Sequence, residues 1–226
     1  MKKVVVGVFC FIVSFGFSQT MGNFDVGSRY INDLGGRVGG RTDKSVQGSQ
    51  YYDGVESFLP VKIDGYDNET PAFRYNAYRD EMEFQKEGQI YYAVKKEGLR
   101  INFMRANKVY EMLSYTDKTD IITGYLVVLK EGDKVSLYVK EQIKYIAERE
   151  SATGYDSSRP AEYKKVDDTF FIRIDDTTTN FPKNKKELLK MFPDKNPQIS
   201  DYLKKTKISF SKEADLIELT KFLNTL

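Results

Sequence analysis

The chain has 226 residues, with 35 basic and 33 acidic side chains, one cysteine, no histidine and no tryptophan. Lacking imidazole, it has neither the usual general base near neutral pH nor the commonest transition-metal ligand. A single thiol also excludes zinc sites of the Cys/His type and any intrachain disulfide.

Met1-Lys2-Lys3 is a short basic head, and Val4 to Phe17 is apolar, with Gly16 and Ser18 just before Gln19. This is the form of a secretory signal peptide over 1–18, too short to span a bilayer, with cleavage expected after Ser18. Cys10 lies inside the apolar run rather than after it, which opposes a lipid anchor. Cleavage would take two of the 35 basic residues and leave parity with the 33 acidic ones. A neutral mature chain argues against nucleic acid or an acidic membrane as partner. It would also hold no cysteine, so thiol catalysis drops out, leaving carboxylate chemistry, Ser–Lys pairs or a non-catalytic role. No second apolar run of spanning length follows.

Residues 19–47 are Gly-rich and weakly patterned, a flexible lead-in. Gly35-Gly36-Arg37-Val38-Gly39-Gly40 lacks the spacing of a phosphate loop. Val61-Lys62-Ile63 is a short strand candidate, and Asp64 to Glu69 a turn. Asp64, Asp67 and Glu69 offer hard oxygens, but the twelve-residue calcium-loop pattern is missing, and a turn built on Asp-Gly is the simpler reading.

Phe73 to Phe84 opens the β-patterned part of the chain. Phe73, Tyr75 and Ala77 alternate with Arg74 and Asn76; Tyr78, Met82 and Phe84 then take the opposite parity, against Arg79, Glu81 and Glu83. Side chains alternate faces with period two, so the phase change predicts a bulge or bend near Asn76–Arg79 and a solvated face for the charges. Arg74, Tyr75, Asn76, Tyr78, Asp80, Glu81 and Glu83 are the candidate binding residues. Hairpin signals follow at Lys86–Gln89, Lys96–Gly98 and Glu131–Lys134, with Ile90, Tyr92, Val94, Leu99, Ile101 and Phe103 alternating between them. Val109–Tyr115, a more continuously apolar Ile121–Leu129 and Val135–Val139 complete at least seven strands from Val61 to Val139. Strands about every ten residues, parted by Gly-containing turns, read as an antiparallel meander.

Residues 140–165 are expected to form a long surface excursion, and Tyr163–Ile174 a return strand with Phe170, Ile172 and Ile174 on one side. The tail reads as three helices. Asn184 with Glu187 caps the first and Pro193 stops it; Pro197 opens the second; Ser211 opens the third, with Leu216, Ile217, Leu219, Phe222 and Leu223 as its apolar stripe. Helices so short require docking on the sheet, and their lysines do not gather into a membrane-binding face. The expectation is therefore one α+β domain over 48–226: an antiparallel β-meander, a curved sheet or partial barrel over 61–175, with helices from 184 to 225 packed on it.

Gly48-Ser49-Gln50-Tyr51-Tyr52, Arg74-Tyr75-Asn76-Ala77-Tyr78-Arg79-Asp80-Glu81-Met82-Glu83-Phe84, Gly124-Tyr125-Leu126 and the tail from Asn184-Lys185-Lys186-Glu187-Leu188-Leu189 resemble an uncharacterised group of exported proteins common in Bacteroidota. The resemblance implies an envelope location, periplasmic or outer-membrane-associated, and carries over no site or activity. The Gly-rich lead-in departs from it.

Three functions are consistent with this reading. The first is a non-catalytic envelope protein, an accessory or protein-binding component on the periplasmic side of the outer membrane; its sixteen tyrosines suit an interface, although strand positions account for most of them. The second is a carrier of an apolar small molecule in a curved-sheet cavity. The third is a glycan hydrolase using two of Asp80, Glu81 and Glu83, which needs carboxyls about 5 or about 7–9 Å apart. No cofactor or metal is expected.

Overall fold

The computed structural model describes residues 46–66, 70–149 and 158–226. The expected signal peptide and most of the Gly-rich lead-in lie outside them, as do Asp67 and Glu69 of the calcium-like turn. Asp64 faces the Arg100 guanidinium at 3.4 Å.

Twelve strands are named among these residues. β1 (Lys62–Ile63), β2 (Phe73–Asn76), β3 (Glu81–Lys86), β4 (Gln89–Tyr92), β5 (Arg100–Phe103), β6 (Lys108–Asp117), β7 (Asp120–Lys130) and β8 (Val135–Lys140) cover the meander region. β9 (Ile143–Ile146), β10 (Glu162–Lys165), β11 (Thr169–Ile174) and β12 (Thr177–Asn180) follow. The helices are α1 (Lys185–Met191), α2 (Asn196–Lys205) and α3 (Glu213–Leu223). The class is α+β, with helices packed on a mostly antiparallel β framework.

The largest sheet runs β1-β5-β6-β12-β11-β8-β7, and β6 also pairs with β7. That extra pairing closes β6, β7, β8, β11 and β12 into a five-stranded barrel, sealed by one parallel pairing, Thr179 with Thr116. Its lumen is filled by Leu113, Tyr115, Leu126, Tyr138 and Phe171. Those side chains sit on one parity of their strands, as pleat alternation demands. The opposite parity points outward into two further cores. On one flank β2-β3-β4 forms its own three-stranded sheet, and Phe73, Tyr75, Met82 and Phe84 pack with Ile101, Met112, Tyr125 and Val139. On the other flank Leu188, Ile199, Leu216, Leu219 and Leu223 from the helices cover Val135, Leu137 and Ile172.

Four expectations are corrected. Phe73–Phe84 is not one bent strand: a tight turn at 77–80 separates β2 from β3, whose register joins Phe73 to Phe84 and Asn76 to Glu81. A turn of even length reverses the chain and shifts the parity, which a bulge would mimic in sequence. The charged parity is not uniformly wet, because Glu83 is only 3 % exposed. The excursion after Lys140 contains a hairpin-like pair, β9 with β10, and residues 150–157 between them lie outside the described set. The third helix opens at Glu213 with Lys212 before it and no side-chain cap, so Ser211 does not serve. The first helix matches expectation: Glu187 N–H donates to Asn184 Oδ1 at 3.0 Å, and the Glu187 carboxylate reaches back to the Lys183 N–H at 2.8 Å.

Candidate functional site

The seven candidate residues do not meet in one place. Alternation along β2 and β3 sends them to three different surroundings.

Arg74, Asn76 and Glu83 share one face. Arg74 and Glu83 are cross-strand partners, and Arg74 Nε donates to Glu83 Oε2 at 2.7 Å. The Tyr51 hydroxyl donates to the same oxygen at 3.0 Å, and Asn76 Nδ2 to Glu83 Oε1 at 2.8 Å. The Arg74 guanidinium lies 4.3 Å over the rings of both Tyr51 and Phe58. A buried carboxylate that accepts three donors, one of them an arginine, is structurally satisfied. Burial and the Glu83 charge push the Tyr51 phenol above its ordinary range. Glu81 stands opposite Asn76, and its charge reaches Tyr125.

Tyr75 and Asp80 face the barrel. Asp80 has a left-handed backbone with φ 55°, which aims its carboxylate over Gly124. A Cβ at Gly124 would lie 2.4 Å from Asp80 Oδ2, so the approach depends on glycine at that position. Oδ1 accepts from the Tyr75 hydroxyl at 2.7 Å, the Tyr125 N–H at 3.2 Å and Lys140 Nζ at 2.5 Å. Oδ2 accepts from Lys95 Nζ at 3.1 Å. Lys140 also donates to the Tyr75 hydroxyl at 3.3 Å and the Tyr125 carbonyl at 3.0 Å. Desolvation holds the Lys140 ammonium below its ordinary range against the opposing pull of Asp80. The same burial, with Asp80 beside it, raises the Tyr75 phenol.

Tyr78 belongs to neither group. Its ring lies 5.0 Å from Tyr163 on β10 and 6.5 Å from Tyr145 on β9, and those two rings are 5.5 Å apart. Tyr78 is 40 % and Tyr145 44 % exposed, so the cluster faces solvent. Gln50 Nε2 donates to the Tyr163 hydroxyl at 3.1 Å, and exposed Arg79 stands near it.

A polar cleft of about 460 Å³ lies on the barrel's outer surface, bordered by Tyr52, Asp53, Lys108, Glu141, Lys165 and Asp168. Glu141 is buried between Lys108 Nζ and the Tyr110 hydroxyl, each at 2.5 Å. Tyr52 donates to Asp168 Oδ1 at 2.5 Å, while Lys165 Nζ sits 3.8 Å from its ring centroid. The acids and bases here are largely spent on one another. No group of three metal-ligating side chains occurs among the described residues.

Sequence reasoning missed Lys140, Tyr125, Tyr145 and Tyr163. Lys140 had a signal: it continues the Ser136, Tyr138 parity, so a charge falls on the inward side of a strand. Tyr145 had none, because its segment read as surface excursion; Tyr163 was expected to open a single return strand to Ile174, but the structure divides that stretch into β10 and β11 and pairs β10 with β9, which sets Tyr163 beside Tyr145.

No protein-family model, curated protein or solved structure matches this chain.

Proposed function

We propose that this is an exported, non-catalytic envelope protein, periplasmic or outer-membrane-associated, that docks a protein partner on the Tyr78–Tyr145–Tyr163 face. The observation that carries the reading is the exposure of two clustered tyrosine rings drawn from separate elements. Such rings give large contact area at low entropic cost, and aromatics are enriched at interface centres. The fitting partner lays an apolar side chain on the rings and offers an acidic group to Arg79. The basic head and apolar run of 1–18 support export.

The two alternatives fare worse on physical grounds. The barrel lumen is occupied by its own Leu113, Leu126 and Phe171, which leaves an apolar ligand no room there. Asp80 lies across the β2–β3 sheet from Glu81 and Glu83 and is tied to Lys140, while Glu83, which shares its strand face with Glu81, is buried and tied to Arg74, so no two of the three carboxylates are free of a cation. The test is capture from solubilised envelopes by the wild-type chain and by a Tyr78→Ser/Tyr145→Ser variant with unchanged circular dichroism. A stoichiometric protein retained by the first and lost at least tenfold by the second is expected. Identical capture by both removes the reading.

A further inference from the structure

Lys140 and Asp80 form an ion pair in unusual surroundings. The lysine is almost wholly enclosed, its side chain 11 % exposed. Burying an ion pair is expensive, and an amide between the same atoms would remove both charges. The groups around the pair are those that amide formation needs. The Tyr75 hydroxyl accepts from Lys140 Nζ and donates to Asp80 Oδ1, a relay that can carry a proton from ammonium to carboxylate. The Tyr125 N–H and the Tyr75 hydroxyl both address Oδ1, where negative charge develops in a tetrahedral intermediate. Lys95 Nζ addresses Oδ2, the oxygen that must leave. The Tyr125 carbonyl, already an acceptor for Lys140 Nζ, would accept from the product N–H. Holding the largely buried amine against the carboxyl supplies the effective concentration that such condensations lack in solution.

We propose that Lys140 and Asp80 condense into an intramolecular isopeptide bond. One ammonium proton passes through Tyr75 to Oδ1, and the neutral amine attacks Cγ, forming the Nζ–Cγ bond. As the tetrahedral intermediate collapses, that proton and one from the nitrogen pass to Oδ2, beside which Lys95 Nζ can exchange them. The Cγ–Oδ2 bond breaks, and Oδ2 departs as water with two of the three ammonium protons while Oδ1 remains as the amide carbonyl oxygen. Ammonium plus carboxylate gives amide plus water, so atoms and charge balance with no oxidant or activating group. It is a single self-processing step rather than turnover. It would join the β2–β3 turn to β8 across 60 positions of a chain that can form no internal disulfide.

The decisive measurement is the intact mass of the denatured full-length chain, with peptide mapping. The expected result is a mass one water below that of the sequence, and a branched tryptic peptide joining the Asp80 and Lys140 segments. Lys140→Arg keeps a cation beside Asp80 but offers no amine nucleophile, so its mass should return to the full sequence value. A wild-type chain of full mass that yields Lys140 as a free lysine overturns the proposal. So does a one-water deficit that maps to any other residue.

Discussion

Asp80 shows how much one backbone angle can decide. A left-handed conformation costs an L-residue roughly 1–2 kcal/mol, less for aspartate, whose side chain bonds locally. Here it places a carboxylate over Gly124, where four donor contacts meet. The neighbouring Tyr125 is the converse case. Its hydroxyl is fully buried and has no hydrogen-bond partner among the described residues. An unsatisfied buried polar group costs about 1–3 kcal/mol. Tyr125→Phe should therefore stabilise the protein by an amount of that order, read as a higher urea midpoint with an unchanged slope. A lower midpoint would mean that the hydroxyl has a partner after all. Lys140 and Gly124 were both visible in the sequence, but that Asp80 would meet them was not: the three lie on separate elements, and only the closed register of β6, β7 and β8 brings them together.

At the scale of elements, the C-terminal helices are the part most legible beforehand. Asn184, Glu187, Pro193 and Pro197 are local signals whose physics acts within a turn, and each does what its position predicts. What holds α3 to the barrel is not local. Asn224, just past its end, accepts from the Lys134 and Val135 N–H groups at 3.0 and 3.1 Å and donates to the Val135 and Thr220 carbonyls at 2.8 Å. One amide thus fills all its valences by clipping the helix to the β7–β8 turn, and Gly132 leaves room for it, since a Cβ there would lie 2.3 Å from the amide. Asn224→Ala should cost about 1–3 kcal/mol, with hydrogen exchange rising first in α3 and the turn. Uniform loss across the barrel would show that α3 is not docked as a separate unit. β12 marks the limit of pattern reading. Thr177-Thr178-Thr179-Asn180 has no apolar residue, yet this strand seals the barrel, because its requirement is backbone pairing rather than burial of a hydrophobic face.

For the molecule as a whole, buried tyrosines set the response to alkali. Burial, reinforced by Asp80 for Tyr75 and by Glu141 for Tyr110, raises both phenols well above their ordinary value of 10.0. The folded chain then keeps protons that the unfolded chain gives up. This contribution to stability is complete below pH 10.0 and is lost as pH rises from the unfolded value towards the raised folded ones. The melting temperature should hold up to about pH 9 and fall beyond 10, with the share of phenolate absorbance that belongs to the buried rings appearing together with unfolding. Phenolate absorbance that reaches its full value for all tyrosines while the fold persists would mean that these hydroxyls are open to solvent.

Composition and period-two patterning by themselves determined a β framework with docked terminal helices, because strand alternation and helix caps are written in neighbouring residues. They also removed imidazole chemistry and an intrachain disulfide, because the chain has no histidine and a single cysteine. Tertiary structure alone decided that the β2–β3 residues would part into a satisfied ion-pair cluster, an enclosed Asp80–Lys140 pair and a solvent-facing tyrosine group. It alone decided, too, that β6 would close on β12. The reason is the same in each case: a strand's own sequence states which side chains share a face, but the surface that face meets is set by pairings tens of residues away.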